Sequence, residues 1–410
     1  MPLSDADSIK LFRSSAPYIN KHRGKTFVIM FGGEAILADN FEHIIQDIAL
    51  LTTLGIKVVL VHGARPQIDE RLSLRGKQSL FHKSMRVTDK ATLECVKDAA
   101  GSLRSQIEAL LTMGLPNSPM HNAQIRVCSG NLVVAKPLGI HDGVDFEHTG
   151  AVRRIDVAGI NDHLSDGSIV LLSPMGYSST GEVFNWSHED VATQAAIALQ
   201  ADKIITFSQH DGILDSTGSL IRTSELSWLQ QASKSKQVSC EQTCLTAMLA
   251  SVEAGVERAH CISYQHDGTL LKELFTRDGA GSLVMRNHYE QMRAASIEDV
   301  GGILKLIKPL EQSGALVKRS RERLEDEIDR FTVIERDGMV IACAALYPFA
   351  EDACGEIACV ATHRDYRGKN RGERLLDALK QQASDQKMQK IFVLTTVTGH
   401  WFLEQGFVES

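Results

Sequence analysis

Residues 356–372 set an apolar run against a basic, glycine-containing turn. Glu356-Ile357-Ala358-Cys359-Val360-Ala361-Thr362 has the length and composition of a strand. The turn reads Arg364-Asp365-Tyr366-Arg367-Gly368-Lys369-Asn370-Arg371-Gly372. Glu373 to Lys380 then opens a helix, with Leu375, Leu376 and Leu379 at helical spacing. Together these elements make a seat for a pyrophosphate. Backbone N–H groups point at the anion, the helix dipole favours negative charge, and glycine lets the backbone come close. On the loop alone, a solvated charged turn satisfies the same pattern. Two further groups carry charge chemistry. Glu356, at the head of the strand, can take up a proton directly or through water, or can serve as a surface ion-pair partner. Arg319, with Lys318 beside it in Leu316-Val317-Lys318-Arg319-Ser320, can grip a carboxylate bidentately where a lysine offers a point charge.

The elements that hold these residues follow from the pattern. Ser296-Ile297-Glu298-Asp299 starts a helix with Ser as N-cap and Asp three residues on, and the helix runs to about Glu311. A charged helix, Ser320 to Asp329, precedes two β-rich runs, Phe331 to Glu335 and Val340 to Leu346, joined by Arg336-Asp337-Gly338-Met339, a hairpin signal. After the loop and its helix, Lys390 to Thr395 reads as a strand. Residues 286–295 read as a linker and 296–410 as one domain.

The larger, earlier part reads differently. Residues 1–24 form a helix ending in a basic stretch. Thr26 to Met30 and Lys57 to Val61 are apolar strands separated by Gly32-Gly33 and a helix from about Phe41 to Leu54. Continuous apolar strands alternating with helices mean a parallel sheet buried on both faces. Further strands are expected at Ile125–Val127, Val133–Lys136, Ser168–Leu172, Lys203–Phe207 and Cys261–Tyr264, and helices at Ala91–Leu111, Glu189–Leu199 and Gln242–Ala254. The fold class is α/β, with a three-layer sandwich over 25–285 followed by a smaller α+β domain.

Composition bounds the function. A length of 410 residues suggests two or three domains, and 43% apolar with 23% charged residues is ordinary for a soluble globular chain. A net charge of −7 argues against nucleic acid as a partner. None of the eight cysteines forms a CxxC pair. Cys240 and Cys244 share a helix face with no His or Asp motif to complete a metal site, so no metal is expected. Without a disulfide framework a reducing cytoplasm is expected. The polar first ten residues are not a signal peptide, and no run of about 18 apolar residues offers a membrane span.

Phe31-Gly32-Gly33-Glu34-Ala35, His62-Gly63-Ala64-Arg65-Pro66, Met85-Arg86-Val87-Thr88-Asp89, Ser129-Gly130-Asn131 and Asn185-Trp186-Ser187 resemble the amino-acid kinase family, acetylglutamate kinases in particular. Two positions depart. The family's phosphate-binding lysine corresponds to Met30, and its site-organising aspartate to Glu189. A thioether cannot neutralise a transferring phosphoryl group, so no phosphoryl transfer is expected unless another lysine, such as Lys25 or Lys203, takes over. The arginine-sensitive kinases of this family carry an N-terminal helix and a signature near the domain end. By that resemblance Tyr18, His260, Glu273 and the Gly279 backbone surround bound arginine. A carboxylate accepts guanidinium hydrogen bonds, and an aromatic face packs its plane.

Arg367-Gly368-Lys369-Asn370-Arg371-Gly372 resembles the acetyl-CoA loop of the GNAT acyltransferases, Arg/Gln-x-x-Gly-x-Gly/Ala, with Asn370 in place of the middle glycine. Asn tolerates left-handed backbone better than other non-glycine residues. The resemblance implies a β-bulged strand whose Cys359 and Val360 backbones meet the thioester, with Arg367, Gly368, Asn370, Arg371 and Gly372 on the cofactor. Glu356 becomes the base, or remains an ion-pair partner, and Thr395 or Thr396 orients a water or protonates the thiolate. Cys359 as a nucleophile is the alternative to direct transfer.

Both halves together, with Ala342-Cys343-Ala344-Ala345-Leu346-Tyr347-Pro348 and His400-Trp401-Phe402-Leu403-Glu404-Gln405-Gly406-Phe407, resemble the bacterial N-acetylglutamate synthases over essentially the whole chain. The implied activity is acetyl transfer from acetyl-CoA to the α-amine of L-glutamate, opening arginine biosynthesis. L-arginine is the implied inhibitor, Lys318 and Arg319 lie at the substrate carboxylate, and the implied assembly is a homo-oligomer, a hexamer or other ring. A kinase with an appended domain and a non-catalytic arginine sensor are the alternatives. The family continues past Gly406-Phe407 into a final strand, which is expected to be missing here.

Overall fold

The computed structural model describes residues 5–83, 85–113, 120–286, 290–336, 338–349, 351–367, 370–395 and 397–409. The chain divides into two units, 1–287 and 288–410.

In the first unit, helix α1 (Asp5–His22) leads into strand β1 (Thr26–Phe31), helix α2 (Phe41–Thr53) and strand β2 (Lys57–His62). β1 and β2 pair in parallel, Phe27 opposite Val58 through Phe31 opposite His62. With β3 (Val127–Cys128), β4 (Ile169–Leu172), β5 (Lys203–Ser208), β6 (Thr223–Glu225), β7 (Arg258–Ser263) and β8 (Ser282–Met285) they make an eight-stranded sheet in the order β6-β8-β7-β5-β1-β2-β4-β3. Only the β7–β8 pair is antiparallel. Alternation along β1 shows why the core strands read as unbroken apolar runs. Phe27, Ile29 and Phe31 enter one buried cluster, and Val28 and Met30 enter another on the opposite face. The first cluster holds α2, α3 (Arg65–Leu74) and α4 (Lys90–Thr112), and the second holds α5 (His188–Ala198) and α6 (Gln242–Glu253).

One strand fell elsewhere than in this sheet. Val133–Pro137 is half exposed and joins a separate four-stranded sheet with Gly150–Ile155, Met175–Tyr177 and Val183–Asn185. Helix α1 is tied down at its end. The buried His22 ring donates from Nε2 to the Leu274 carbonyl at 3.0 Å, on helix α7 (Thr269–Phe275), and meets Phe27 and Phe275 edge-on.

The second unit starts earlier than its first helix. Gln291–Ala294, expected as linker, is strand β9, paired antiparallel with β10 (Phe331–Arg336). Its short, mostly exposed face gave no apolar alternation to read. The capping box at Ser296 is formed, the Ser296 N–H donating to Asp299 Oδ2 at 2.8 Å, and helix α8 (Val300–Gln312) follows. Helix α9 (Arg321–Asp326) is shorter than expected and passes into a single 3₁₀ turn. Strand β11 (Met339–Phe349) pairs with β10 through the expected hairpin and with β12 (Cys354–Thr362). Helix α10 (Arg371–Asp385), strand β13 (Lys390–Phe392) and helix α11 (Gly399–Glu404) complete the unit. The sheet order is β9-β10-β11-β12-β13, antiparallel except for β12 with β13. Among the described residues no helix is long and apolar enough to cross a membrane.

Buried histidines make this fold acid-sensitive. Burial, with Lys203 nearby, holds His22 down to about 3, and burial holds His62 and His260 down to about 4. The unfolded chain therefore takes up three protons below about pH 6.5 that the fold refuses. Asp47 acts in the opposite sense: burial and Asp267 push it up to about 7, so the folded state keeps one proton there that the unfolded state loses. The net uptake on unfolding is about two protons, so stability falls by roughly 2.7 kcal/mol per pH unit between about pH 6 and pH 4.5. Urea midpoints measured across that range check this, and a flat profile would overturn it.

Candidate functional site

Strand β12 is pulled out of regular pairing at its middle. Ala345 faces Ala358 and Cys343 faces Ala361, so Cys359 and Val360 together oppose the single residue Ala344. Cys359 takes a left-handed φ of +55°, and the side chains of Ala358 and Cys359 both turn to the α8 side of the sheet while Val360 turns to the other. This is a β-bulge, an extra residue that bends the strand and frees backbone groups. On the opposite edge, β13 pairs with β12 only from Cys354–Lys390 to Glu356–Phe392. Beyond Glu356 no described strand lies against that edge. The bulge and the divergence together leave the strand edge beyond Glu356 without a ladder partner among the described residues, while the Cys359 carbonyl meets the Cys343 thiol at 3.6 Å.

The basic turn follows. Asn370 adopts φ +50°, ψ 22°, the left-handed conformation its residue type permits, and caps α10. Gly372 gives α10 room, since a Cβ there would lie 3.2 Å from the Trp401 ring. Arg367 is exposed, and Gly368 lies outside the described residues. Arg371 opens α10 with its backbone, and its side chain points inward. Its guanidinium is buried beneath the turn, with Nε 3.0 and 2.9 Å from the two Glu290 oxygens and Nη1 donating to the Tyr366 carbonyl. The side chain anchors the loop, and only its backbone opens the helix. Glu290 sat inside the expected linker and carried no pattern that could mark it.

On the α8 side of the sheet, Arg319 stands over the Tyr347 ring at 5.9 Å, and Tyr347 is the register partner of Glu356. The Tyr347 hydroxyl donates to Glu327 Oε2 at 2.7 Å, and the hydroxyl is pushed up to about 12 by burial and that hydrogen bond. The Arg319 backbone N–H donates to Glu311 at 2.9 Å, while its buried side-chain Nε has no protein partner. The Arg319 guanidinium, with Nη1 3.4 Å from the Val317 carbonyl and Nε unpaired, can take a carboxylate. Tyr347 and Glu327 were missed, because a tyrosine inside an apolar strand looks like core. Lys318 is exposed. Cys359 is 3% exposed and packed in the apolar cluster, which disfavours it as a nucleophile.

Thr395 lies beyond the strand that was expected to carry it. β13 ends at Phe392, and the Thr395 hydroxyl is taken up locally, 2.9 Å from Thr398 Oγ1 and accepting from the Thr398 N–H at 3.1 Å. It shapes the turn into α11. Thr396 lies outside the described residues.

In the first unit, the glycine turns at Gly32-Gly33 and His62-Gly63 sit together at the C-terminal ends of β1 and β2. Met30 is 1% exposed inside an apolar cluster. Neither alternative lysine reaches that edge. Lys25 precedes β1, bound to Asp202 at 2.9 Å, and Lys203 starts β5, paired in register with Phe27. Both lie at the N-terminal ends of the strands, across the sheet's length from the glycine turns. Glu189 accepts two hydrogen bonds from Arg65, at 2.8 and 3.0 Å. Burial alone would raise its pKa, but His188 and Arg65 hold it well below the carboxylate range.

Of the residues expected around arginine, His260, Glu273 and Gly279 lie together. His260 Nδ1 is 2.7 Å from Glu273 Oε1, and Glu273 Oε2 accepts from the Ala280 and Gly281 N–H groups at 2.7 and 2.9 Å. Gly279 has φ +64°, and a Cβ there would lie 2.5 Å from Glu273 Oε2. Tyr18 lies one turn before His22 on α1, which bonds to Leu274. Lys203, unforeseen here, places its Nζ 3.2 Å from His260 Nε2. An ammonium must donate, so Nε2 accepts and Nδ1–H donates to Glu273. Burial raises and His260 with the amides lowers Glu273, leaving it at about 2.

Residues 25–263 match the amino acid kinase family and residues 302–407 the acetyltransferase (GNAT) family. The chain is 51% identical to an amino-acid acetyltransferase of Photobacterium profundum, over 100% of this chain and 94% of that protein. An amino-acid acetyltransferase of Azotobacter vinelandii is 52% identical, over 98% and 94%. N-acetylglutamate synthase from Neisseria gonorrhoeae, solved with coenzyme A and L-arginine, superposes with a TM-score of 0.90 at 35% identity, covering 98% of this chain and 93% of that one.

The Arg371–Glu290 pair can be tested without a ligand. Arg371 has 4% and Glu290 14% of its side chain exposed, so removing one partner strands a buried charge. Glu290→Ala is expected to cost about 3 kcal/mol of the second unit's stability, and Glu290→Ala with Arg371→Leu to recover most of it. Urea unfolding of both variants is the check, and a double variant no better than the single one would refute the pairing.

Proposed function

The chain belongs to the amino-acid acetyltransferases, and from that membership we propose that it transfers the acetyl group of acetyl-CoA to the α-amine of L-glutamate, the opening step of arginine biosynthesis, under inhibition by L-arginine. The observation that carries the reading is the bulged strand β12, with an open edge beyond Glu356, feeding the turn at the start of α10.

Each residue then has a task. The first-turn N–H groups of α10, with Asn370 and Gly372 shaping the turn, hold the pyrophosphate of acetyl-CoA, and Arg367 adds charge. The backbone around Cys359 and Val360 donates to the thioester carbonyl, where negative charge develops as the amine attacks. Arg319, steadied against Tyr347, grips a glutamate carboxylate, with Lys318 at the mouth. Glu356 takes the proton that leaves the attacking nitrogen, which forms the amide as the C–S bond breaks and CoA thiolate departs. Arginine binds in the first unit, its guanidinium on Glu273 beside His260, with Tyr18 and the Gly279 backbone closing the pocket. The N. gonorrhoeae synthase was solved with coenzyme A and N-acetylglutamate as well as with arginine, which supports all three ligands here. The eight unpaired cysteines support a reducing cytoplasm.

Free CoA released from acetyl-CoA should depend on glutamate and fall on adding arginine; release indifferent to glutamate would sink the assignment. In the same assay Glu356→Gln should lower kcat by about a hundredfold with little change in the acetyl-CoA KM, as loss of a general base does. An unchanged pH–rate profile would remove Glu356 from that role. A homo-oligomer, a hexamer or other ring, assembled through α1 is part of the proposal, supported by Ile9 and Phe12 standing 51% and 74% exposed on it. Sedimentation of Phe12→Asp should show smaller particles than the parent chain.

A further inference from the structure

Two thiols face one another across the bulge of β12. Cys343 on β11 and Cys359 on β12 enter the same apolar cluster, and all eight cysteines of the chain are unpaired. The register partner of Cys343 is Ala361, so Cys359 is its diagonal neighbour. In a flat ladder diagonal neighbours stand about 7–8 Å apart, too far for a disulfide. The bulge shortens that path. It sets Cys359 and Val360 against the single residue Ala344, with Cys359 at φ +55°, and brings the Cys359 carbonyl within 3.6 Å of Cys343 Sγ. The two thiols also share a hydrogen bond.

Charge divides the labour between them. The hydrogen bond from Cys343, and then the Arg319 guanidinium, lower the Cys359 thiol below its ordinary range although burial would raise it. Donating that bond, and burial, push Cys343 well above the ordinary thiol range. One sulfur therefore ionises more easily while its neighbour keeps its proton. A thiolate is the sulfur that reacts, and a thiol beside it can resolve the product. Cys261 shares such a bond with Cys240 in the first unit, but there the nearby carboxylates Glu241 and Glu273 oppose a thiolate.

Access favours a small oxidant. Cys359 is 3% exposed, and beyond Glu356 its strand has no ladder partner among the described residues. Hydrogen peroxide is close to water in size and far smaller than a thioester. The packing that disfavours Cys359 in acyl transfer is a weaker barrier to it.

We propose that Cys359 and Cys343 form a reversible disulfide when the chain meets a hydroperoxide, and that this bond shuts the transferase centre. The Cys359 thiolate attacks one peroxide oxygen, the O–O bond breaks and hydroxide leaves, and Cys359 becomes a sulfenic acid. The Cys343 sulfur then attacks the Cys359 sulfur. The S–S bond forms, the S–O bond breaks, and the oxygen departs as water with the Cys343 proton. Two thiols have lost two electrons and two protons, and the peroxide has become two waters. Bonded sulfurs lie about 2 Å apart, closer than hydrogen-bonded thiols, so closure draws the bulge toward β11. The bulge backbone is the part assigned to the thioester carbonyl. The loss of transfer therefore rests on the function proposed above, and the bond itself does not.

The test treats the reduced full-length chain with graded hydrogen peroxide and alkylates it after unfolding. Cleavage after Glu351 and Glu356 puts Cys343, Cys354 and Cys359 on three peptides. A Cys343–Cys359 cross-link is expected to form first, in step with loss of N-acetylglutamate formation, and both should reverse with dithiothreitol. Calorimetry should show acetyl-CoA bound about tenfold or more weakly by the oxidised chain, as loss of one or two hydrogen bonds does. Cys343→Ala should keep its activity, form no cross-link and hold a sulfenic acid on Cys359 that dimedone labels. The peptide map of the parent chain stays decisive if Cys343→Ala misfolds. Cross-linking of Cys240 with Cys261 alone, oxidation of Cys359 without a cross-link, or a complete cross-link that leaves transfer unchanged would each overturn the proposal. A reduced chain without any transfer would sink the function instead, and the peptide map would still decide the bond.

Discussion

A strand inside a sheet must find partners for every backbone N–H and C=O, and among the described residues β12 finds them on only part of its length. Its pairing with β11 is broken by the bulge at Cys359, and β13 leaves it after Glu356. Backbone groups deprived of a ladder are satisfied by water or by ligand. The rest of the second unit is arranged around that opening. α10 starts where the strand's chain emerges, Arg371 is drawn inward to Glu290 so that the turn holds its shape, and Gly372 lets the helix settle against Trp401. Glu356 stands at the last paired position, where the strand passes from sheet to open edge.

The first unit keeps the architecture of a phosphoryl-transfer domain with its charge redistributed. Met30 shares an apolar cluster with Val28 and Val59, so that position is filled by packing. Buried charge has instead gathered in two places. At one end of the strands Lys203, His260 and Glu273 form a linked group, and at the other Arg65, His188 and Glu189 form a second. The two groups stand at opposite ends of β5 and β1.

Sequence and structure part company at identifiable places. Apolar runs between helices announced the parallel sheet, because strands buried on both faces cannot alternate. Asn370 was read as able to turn left-handed, and it does, at φ +50°. The capping box at Ser296 and the hairpin at Gly338 were legible because each depends on neighbours in sequence. Gln291–Ala294 was not legible as a strand, since its pairing with β10 is supplied from about forty residues away. β13 stops short of Thr395 because Thr395 spends its hydroxyl on the turn that follows. The inward course of the Arg371 side chain was not legible, because its partner Glu290 lies 81 positions back.

What the sequence by itself determined was local: residue types that turn, cap, alternate or carry charge, and through them the two-part α/β organisation and the family resemblance of each part. Tertiary structure alone decided which charges became partners. Arg371 with Glu290, Tyr347 with Arg319 and Glu327, and Lys203 with His260 are pairings across 81, 28, 20 and 57 positions. A side chain's electrostatic role depends on distance and burial, and neither is a property of spacing along the chain.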